Sequence, residues 1–199
     1  MDRNKLLTLP NLLSLYRIIA FPFILWFIIR KSVVLFAVFL IINLITDVLD
    51  GLIARMFNMQ TELGARLDSI GDMGTYMLGF LGIYVFKWED IAPHMTPLLV
   101  FIGLCILLVM IALIKFGRLP SFHLYSWKIG GYIQGLFFIV LFTFGFYLPL
   151  YYLMVGWAIL AALEHIAIQL VIAQMRSNVK GLYWVLQNKN KNKNKNITQ

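Results

Sequence analysis

Four aspartates, Asp47, Asp50, Asp68 and Asp72, carry the chemistry that this sequence most plainly offers. They fall in the stretch DVLDGLIARMFNMQTELGARLDSIGD, residues 47–72, which with Glu62 holds five of the chain's nine acidic residues. The first pair is spaced i, i+3 and the second i, i+4. On a helix both spacings bring side chains onto one face, with Cβ atoms about 5–6 Å apart. Both pairs lie in sequence that otherwise looks like membrane, because Val33 to Ile45 has Asn43 as its one polar side chain and Met73 to Phe86 is almost wholly apolar. Carboxylates at membrane depth are costly, mark function and need cationic partners. Arg55 and Arg66 are the cations near in sequence, too few for four aspartates. Converging oxygen donors on two helices suit a hard cation, Mg²⁺ or Mn²⁺. A divalent ion between aspartates neutralises a diphosphate and stabilises a leaving oxygen, so phosphoryl transfer is the chemistry implied.

The elements that must hold these carboxylates are membrane helices. Hydrophobic residues make up 61% of the chain and charged residues 13%, against about 25% charged in a soluble domain. The mean hydropathy is +0.82. An all-α membrane protein is expected. Spans of about 20 apolar residues are expected near Leu12–Ile29, Val33–Phe57, Leu67–Phe86, Thr96–Ile114, Ile129–Leu148 and Leu150–Met175, giving six transmembrane helices. Pro149 separates the last two so tightly that they should form an antiparallel hairpin. Residues 1–178 form the six-helix domain, and 179–199 an interfacial segment and a low-complexity basic tail of Asn-Lys repeats. Such a tail cannot build a core. With the N-terminus inside, the cytoplasm receives Arg3, Lys5, Arg55, Arg66, Lys115, Arg118, Lys128 and the bases of the tail, leaving Arg30, Lys31 and Lys87 outside. That asymmetry predicts two cytoplasmic termini and aspartates at the cytoplasmic face. Much of the net charge of +8 reports this topology. The bases are not interleaved with stacking aromatics on a soluble module, so nucleic acid is not the expected partner. No cleavage site follows the first ten residues, so no cleaved signal peptide is expected. Cys105, in an apolar run, is expected to be a buried, inert thiol.

The full spacing is D-x2-D-G-x2-A-R-x8-G-x3-D-x3-D: Asp47, Asp50, Gly51, Ala54, Arg55, Gly64, Asp68 and Asp72. It resembles the signature of the CDP-alcohol phosphatidyltransferase family at all eight positions. The resemblance implies an integral-membrane enzyme that moves a phosphatidyl group from CDP-diacylglycerol to an alcohol and releases CMP, in phospholipid biosynthesis. It implies that Asp47, Asp50, Asp68 and Asp72 are metal ligands, and that Asp72 is also the catalytic base. It implies CDP binding by Asp47, Gly51, Ala54, Arg55 and Gly64, with Arg55 on the diphosphate. Taken alone, the small residues fit close helix packing equally well. The family resemblance also implies a homodimer.

The start Pro10-Asn11-Leu12-Leu13-Ser14-Leu15-Tyr16-Arg17 places Asn11, Ser14 and Arg17 on one helical face. It resembles the P-N-x-x-[ST]-x-x-R start of the glycerophosphate-using branch, which resembles phosphatidylglycerophosphate synthase. An interfacial helix whose Arg17 reaches up to headgroups is the alternative. The polar loop Phe116–Gly131 lacks a G-K-x-K-T pattern. Arg118 and Lys128 there, with Arg66, are candidate acceptor-phosphate ligands; topology is the alternative role for the first two. His123 reads as an interfacial loop residue. Glu164 and His165, deep in the last helix, read as structural hydrogen-bonding groups, with a cavity-lining role as the alternative. The acceptor favoured is sn-glycerol 3-phosphate, with inositol phosphate, inositol, serine or another alcohol as alternatives. An intramembrane prenyltransferase is disfavoured by the span count, and an ion-coupled transporter by the lack of an internal repeat.

Overall fold

The computed structural model describes residues 8–118, 124–172 and 181–187. These residues are helical almost throughout, with no strand among them. The helices are α1 (Leu9–Ile29), α2 (Val33–Met56), α3 (Glu62–Phe86), the single turn α4 (Trp88–Ile91), α5 (Met95–Phe116), α6 (Tyr125–Thr143) and α7 (Leu148–Val171). A 3₁₀ turn, Ala92–His94, joins α4 to α5.

Local chemistry sets the boundaries. Pro10 lies in the first turn of α1, where its missing N–H costs nothing. α3 starts at Glu62, ahead of the apolar run expected from Leu67, because Thr61 caps it. The Thr61 hydroxyl accepts from Gly64 N at 2.9 Å, and Glu62 supplies an acid in the first turn. α5 closes on Gly117 in the left-handed conformation, φ 66°, the usual glycine C-terminal cap. α6 ends at Thr143, short of the expected Leu148. Pro149 does not separate helices but sits in the first turn of α7.

Four helical stretches among the described residues, α1, α2, Trp88–Phe116 and α7, are long and apolar enough to cross a membrane. Many of their large side chains, Ile19, Phe23, Trp26, Leu99, Ile106 and Leu160 among them, face outward. The chain is therefore an all-helical integral membrane protein. α3 falls short of that apolarity because Asp72, Thr75 and the glycines Gly71, Gly74, Gly79 and Gly82 dilute it; Lys128, Gln134 and three glycines do the same for α6.

Two compact units are distinguished. The first runs to Pro93 and includes Phe138–Phe146. Here α1 packs against both α2 and α3. Its core holds Ala20, Ile24 and Ile28 of α1, Phe36, Ala37, Leu40 and Leu44 of α2, and Leu78 of α3. Beside Leu78, the buried face of α3 is small, Gly71, Thr75, Gly79 and Gly82, and a Cβ at Gly82 would collide with the ring of Phe36. Asn43 Nδ2 donates to Thr75 Oγ1 at 3.4 Å, so Asn43 pairs α2 with α3.

The second unit contains α5, residues Tyr125–Phe137 of α6, and α7. Lys115 Nζ donates to the carbonyls of Gln169 and Leu170 at 2.8 and 3.0 Å, satisfying the open end of α7. Trp127 Nε1 donates to His165 Nδ1 at 3.2 Å, and Glu164 Oε1 accepts from Leu182 N at 2.9 Å. Glu164 and His165 thus hold neighbouring segments. Cys105 is half-buried on α5, more open than the buried thiol expected, because much of this helix is exposed among the described residues. Ser121, His123 and the Asn-Lys repeats lie outside the described residues.

Candidate active site

The four aspartates converge from two helices, Asp47 and Asp50 on α2 and Asp68 and Asp72 on α3. One carboxylate oxygen from each of Asp47, Asp50 and Asp68 lies within 4.8 Å of the others. Asp50 is buried, whereas Asp47, Asp68 and Asp72 are partly open. At an effective dielectric constant of about 20, ionised carboxylates this close repel by roughly 3 kcal/mol per pair. A cation among them offsets that repulsion.

Arg17 of α1 supplies one. Its Nη1 donates to Asp47 Oδ1 at 2.6 Å and to Asp72 Oδ1 at 2.5 Å. Nη2 donates to Asp50 Oδ2 at 2.7 Å and to Asp68 Oδ1 at 2.6 Å. Each terminal nitrogen therefore ties α2 to α3. Arg17 is only 1% exposed. This corrects the expectation that Arg55 and Arg66 are the nearby cations, and the alternative in which Arg17 reaches headgroups. Distance along the chain misled, because α1 returns beside α2 and α3 and brings in a residue 30 positions before Asp47. One guanidinium still leaves three carboxylates without a counter-charge. The all-oxygen donor set and its spacing fit a hard divalent cation.

Ser14 and Asn11 complete the α1 face. The Ser14 hydroxyl donates to Asp50 Oδ2 at 2.8 Å. Both residues are buried, at 2% and 3% exposure. Asn11 fills the space beside Gly64, where a Cβ would overlap Asn11 Oδ1. Gly64 thus lets Asn11 of α1 approach α3 closely. The polar spacing of three along α1 signals this face in the sequence; its partners are not signalled.

A cleft of about 340 Å³ opens beside the aspartates. Asp50, Gly51, Ala54 and Arg55 line it from α2, and Gly64, Ala65 and Asp68 from α3. Pro10, Asn11 and Ser14 close the α1 side, and Met59, Gln60 and Thr61 line it from the α2–α3 connection. The residues of that connection were not singled out from the sequence, since nothing in their types distinguishes them from an ordinary turn. Arg55 lies along α2, its Nε donating to Gly51 O at 2.8 Å. Arg66 is exposed and is not among the residues lining the cleft. Arg118 and Lys128 belong to the second unit. There Lys128 is exposed, its Nζ 5.7 Å from the centre of the Tyr125 ring.

Known proteins give this arrangement a family. The chain is similar to a CDP-diacylglycerol–glycerol-3-phosphate 3-phosphatidyltransferase of Aquifex aeolicus, 31% identical over 60% of this chain and 67% of the relative. It is similar to a cardiolipin synthase (CMP-forming) of Streptomyces coelicolor, 30% identical over 56% of this chain and 54% of the relative. A Rickettsia bellii protein named like the first is 38% identical over 42% of this chain and 46% of its own. The chain thus spans two thirds of the Aquifex protein and about half of the other two. No solved structure matches. The family model for CDP-alcohol phosphatidyltransferases matches residues 7–176, and the chain belongs to that family.

Proposed function

We propose that this enzyme transfers a phosphatidyl group from CDP-diacylglycerol to sn-glycerol 3-phosphate, releasing CMP. The observation that carries the reading is the convergence of Asp47, Asp50 and Asp68, with Asp72 joined to them through Arg17, beside a cleft lined by Gly51, Ala54, Arg55 and Gly64. Asp47, Asp50, Asp68 and Asp72 hold Mg²⁺ or Mn²⁺. An ion held there would supply the positive charge that offsets the diphosphate and the developing charge on the departing CMP oxygen. Gly51 and Ala54 leave room for the nucleotide against α2, Asp47 and Gly64 border it, and Arg55 pairs with its diphosphate. Asp72 takes the proton from the acceptor hydroxyl. That oxygen bonds to the phosphorus carrying the diacylglycerol, and the bond from this phosphorus to the CMP oxygen breaks. Arg118 and Lys128, with Arg66, are the candidate cations for the acceptor's phosphate.

The relatives named as glycerol-3-phosphate phosphatidyltransferases favour this acceptor, as does the Asn11, Ser14, Arg17 face. The missing G-K-x-K-T pattern counts against this acceptor, and the Streptomyces relative favours a second reading, cardiolipin formation. The working enzyme has six membrane-spanning helices in residues 1–178, both termini and the site at the cytoplasmic face, an interfacial segment and low-complexity basic tail at 179–199, and a homodimeric state. The basic asymmetry of the loops supports that orientation.

The test is purified protein with CDP-diacylglycerol and each acceptor in turn, following CMP and the lipid product. Glycerol 3-phosphate should give CMP and a phosphorylated glycerophospholipid. Turnover with serine or inositol alone would refute the acceptor. Cardiolipin from phosphatidylglycerol, the alcohol that atom balance requires, would establish the second reading. No CMP with any acceptor would refute both.

A further inference from the structure

The sequence motif needs no arginine between its aspartates, yet Arg17 fills that position. Both terminal nitrogens are shared between helices, all four partners are carboxylates, and the contacts span 2.5–2.7 Å. The side chain is wholly shielded. Room for it is made on α3 at Gly71, where a Cβ would stand 3.2 Å from Arg17 Cζ. Arg17 Nε, by contrast, is buried without a hydrogen-bond partner, so the guanidinium is committed to the aspartates through its two ends alone. Arginine keeps its charge at any physiological pH, which makes it a permanent cation in this place.

A guanidinium and a divalent ion compete for these four carboxylates, and side by side the two cations would repel. Mg²⁺ draws its ligands to about 2.1 Å and demands a nearly octahedral shell. Asp47, Asp50 and Asp68, whose oxygens lie within 4.8 Å of one another, are each already held by Nη1 or Nη2. We propose that Arg17 is a built-in stand-in for the divalent ion: it holds the aspartates and clamps α1 to α2 and α3 in metal-free protein, and the metal binds by displacing it. This inference rests on the metal role of the aspartates proposed above. Apparent metal affinity is then lowered by the Arg17–aspartate contacts that must first break, and the metal-free protein stays folded because those contacts exist.

The experiment is Mn²⁺ binding followed by electron paramagnetic resonance, with thermal unfolding in EDTA and in Mn²⁺, on detergent-purified wild type, Arg17→Gln and Arg17→Lys. Arg17→Gln should bind Mn²⁺ at least tenfold more tightly, unfold at lower temperature in EDTA, and gain more from Mn²⁺ than wild type does. Arg17→Lys should fall between, since an ammonium keeps the charge but cannot bridge four carboxylates. A structural arginine would leave Mn²⁺ affinity unchanged or weaken it when removed, and either result overturns the proposal. If Arg17→Gln does not fold in any condition, wild type decides. Phenylglyoxal should modify Arg17 faster in Mn²⁺ than in EDTA, as mapped by mass spectrometry, and equal rates overturn the displacement. Absence of Mn²⁺ binding by all three proteins refutes the metal site itself and this proposal with it, whereas equal binding refutes this proposal alone.

Discussion

Gly71 on α3 lies against Arg17 on α1, so close that a Cβ would meet Arg17 Cζ at 3.2 Å, Nε at 3.3 Å and Cβ at 3.4 Å. In an exposed helix interior, glycine to alanine stabilises by about 1 kcal/mol. Here the neighbour is pinned by four ion pairs and cannot retreat. Gly71→Ala is therefore expected to lower stability by about 1 kcal/mol, and Gly71→Leu by 3 kcal/mol or more. Gly103→Ala, whose Cβ meets nothing within 4 Å, is the control. Thermal unfolding in detergent reads all three; stabilisation by Gly71→Ala would show that Arg17 is free to move aside.

Activity should vanish in excess EDTA and return with Mg²⁺ or Mn²⁺. Asp47→Asn, Asp50→Asn and Asp68→Asn should each cut metal affinity and turnover by about 100-fold, at least as much as the loss of an outer-shell partner of a metal ligand. Direct Mn²⁺ binding beside CMP release checks both effects. Full activity in EDTA would remove the metal from the mechanism.

Ser14 acts through Asp50. Its hydroxyl gives Asp50 Oδ2 a 2.8 Å hydrogen bond inside the protein, and a bond to a charged acceptor contributes about 1.5–3 kcal/mol. Ser14→Ala should destabilise by that order and weaken Mn²⁺ binding about tenfold, by freeing a ligand to rotate. Ser14→Thr should restore much of both. An alanine variant with wild-type Mn²⁺ affinity would reduce Ser14 to a packing residue.

Lys128 offers an exposed ammonium near the start of α6. If it holds the acceptor's phosphate, Lys128→Ala should raise the KM for glycerol 3-phosphate about tenfold while leaving that for CDP-diacylglycerol nearly unchanged. Arg118→Ala and Arg66→Ala are read in the same assay. Parallel rises in both KM values would take Lys128 out of the acceptor site.

A dimer should appear in detergent as a protein mass of about twice the 23.0 kDa chain, measured by light scattering with the detergent contribution subtracted. A protein mass equal to one chain would contradict the homodimer.

The sequence by itself determined which carboxylates belong together. Spacings of three and four on a helix force Asp47 beside Asp50 and Asp68 beside Asp72, and an apolar setting makes such acids costly unless used. It also determined the helical class, because chain in a membrane must satisfy its backbone internally. Helix ends were less legible. Thr61 starts α3 early and Pro149 begins α7 within its first turn, and both depend on capping rather than hydropathy.

Only the tertiary structure decided who answers the aspartates. Periodicity fixes which residues share a face, but it does not fix which faces meet. The glycine-lined side of α3 lets α1 approach, and that approach delivers Arg17 to four carboxylates, Ser14 to Asp50 and Asn11 to the space beside Gly64. Those partners come from far along the chain, and the crossing of packed helices, not sequence spacing, sets their distances.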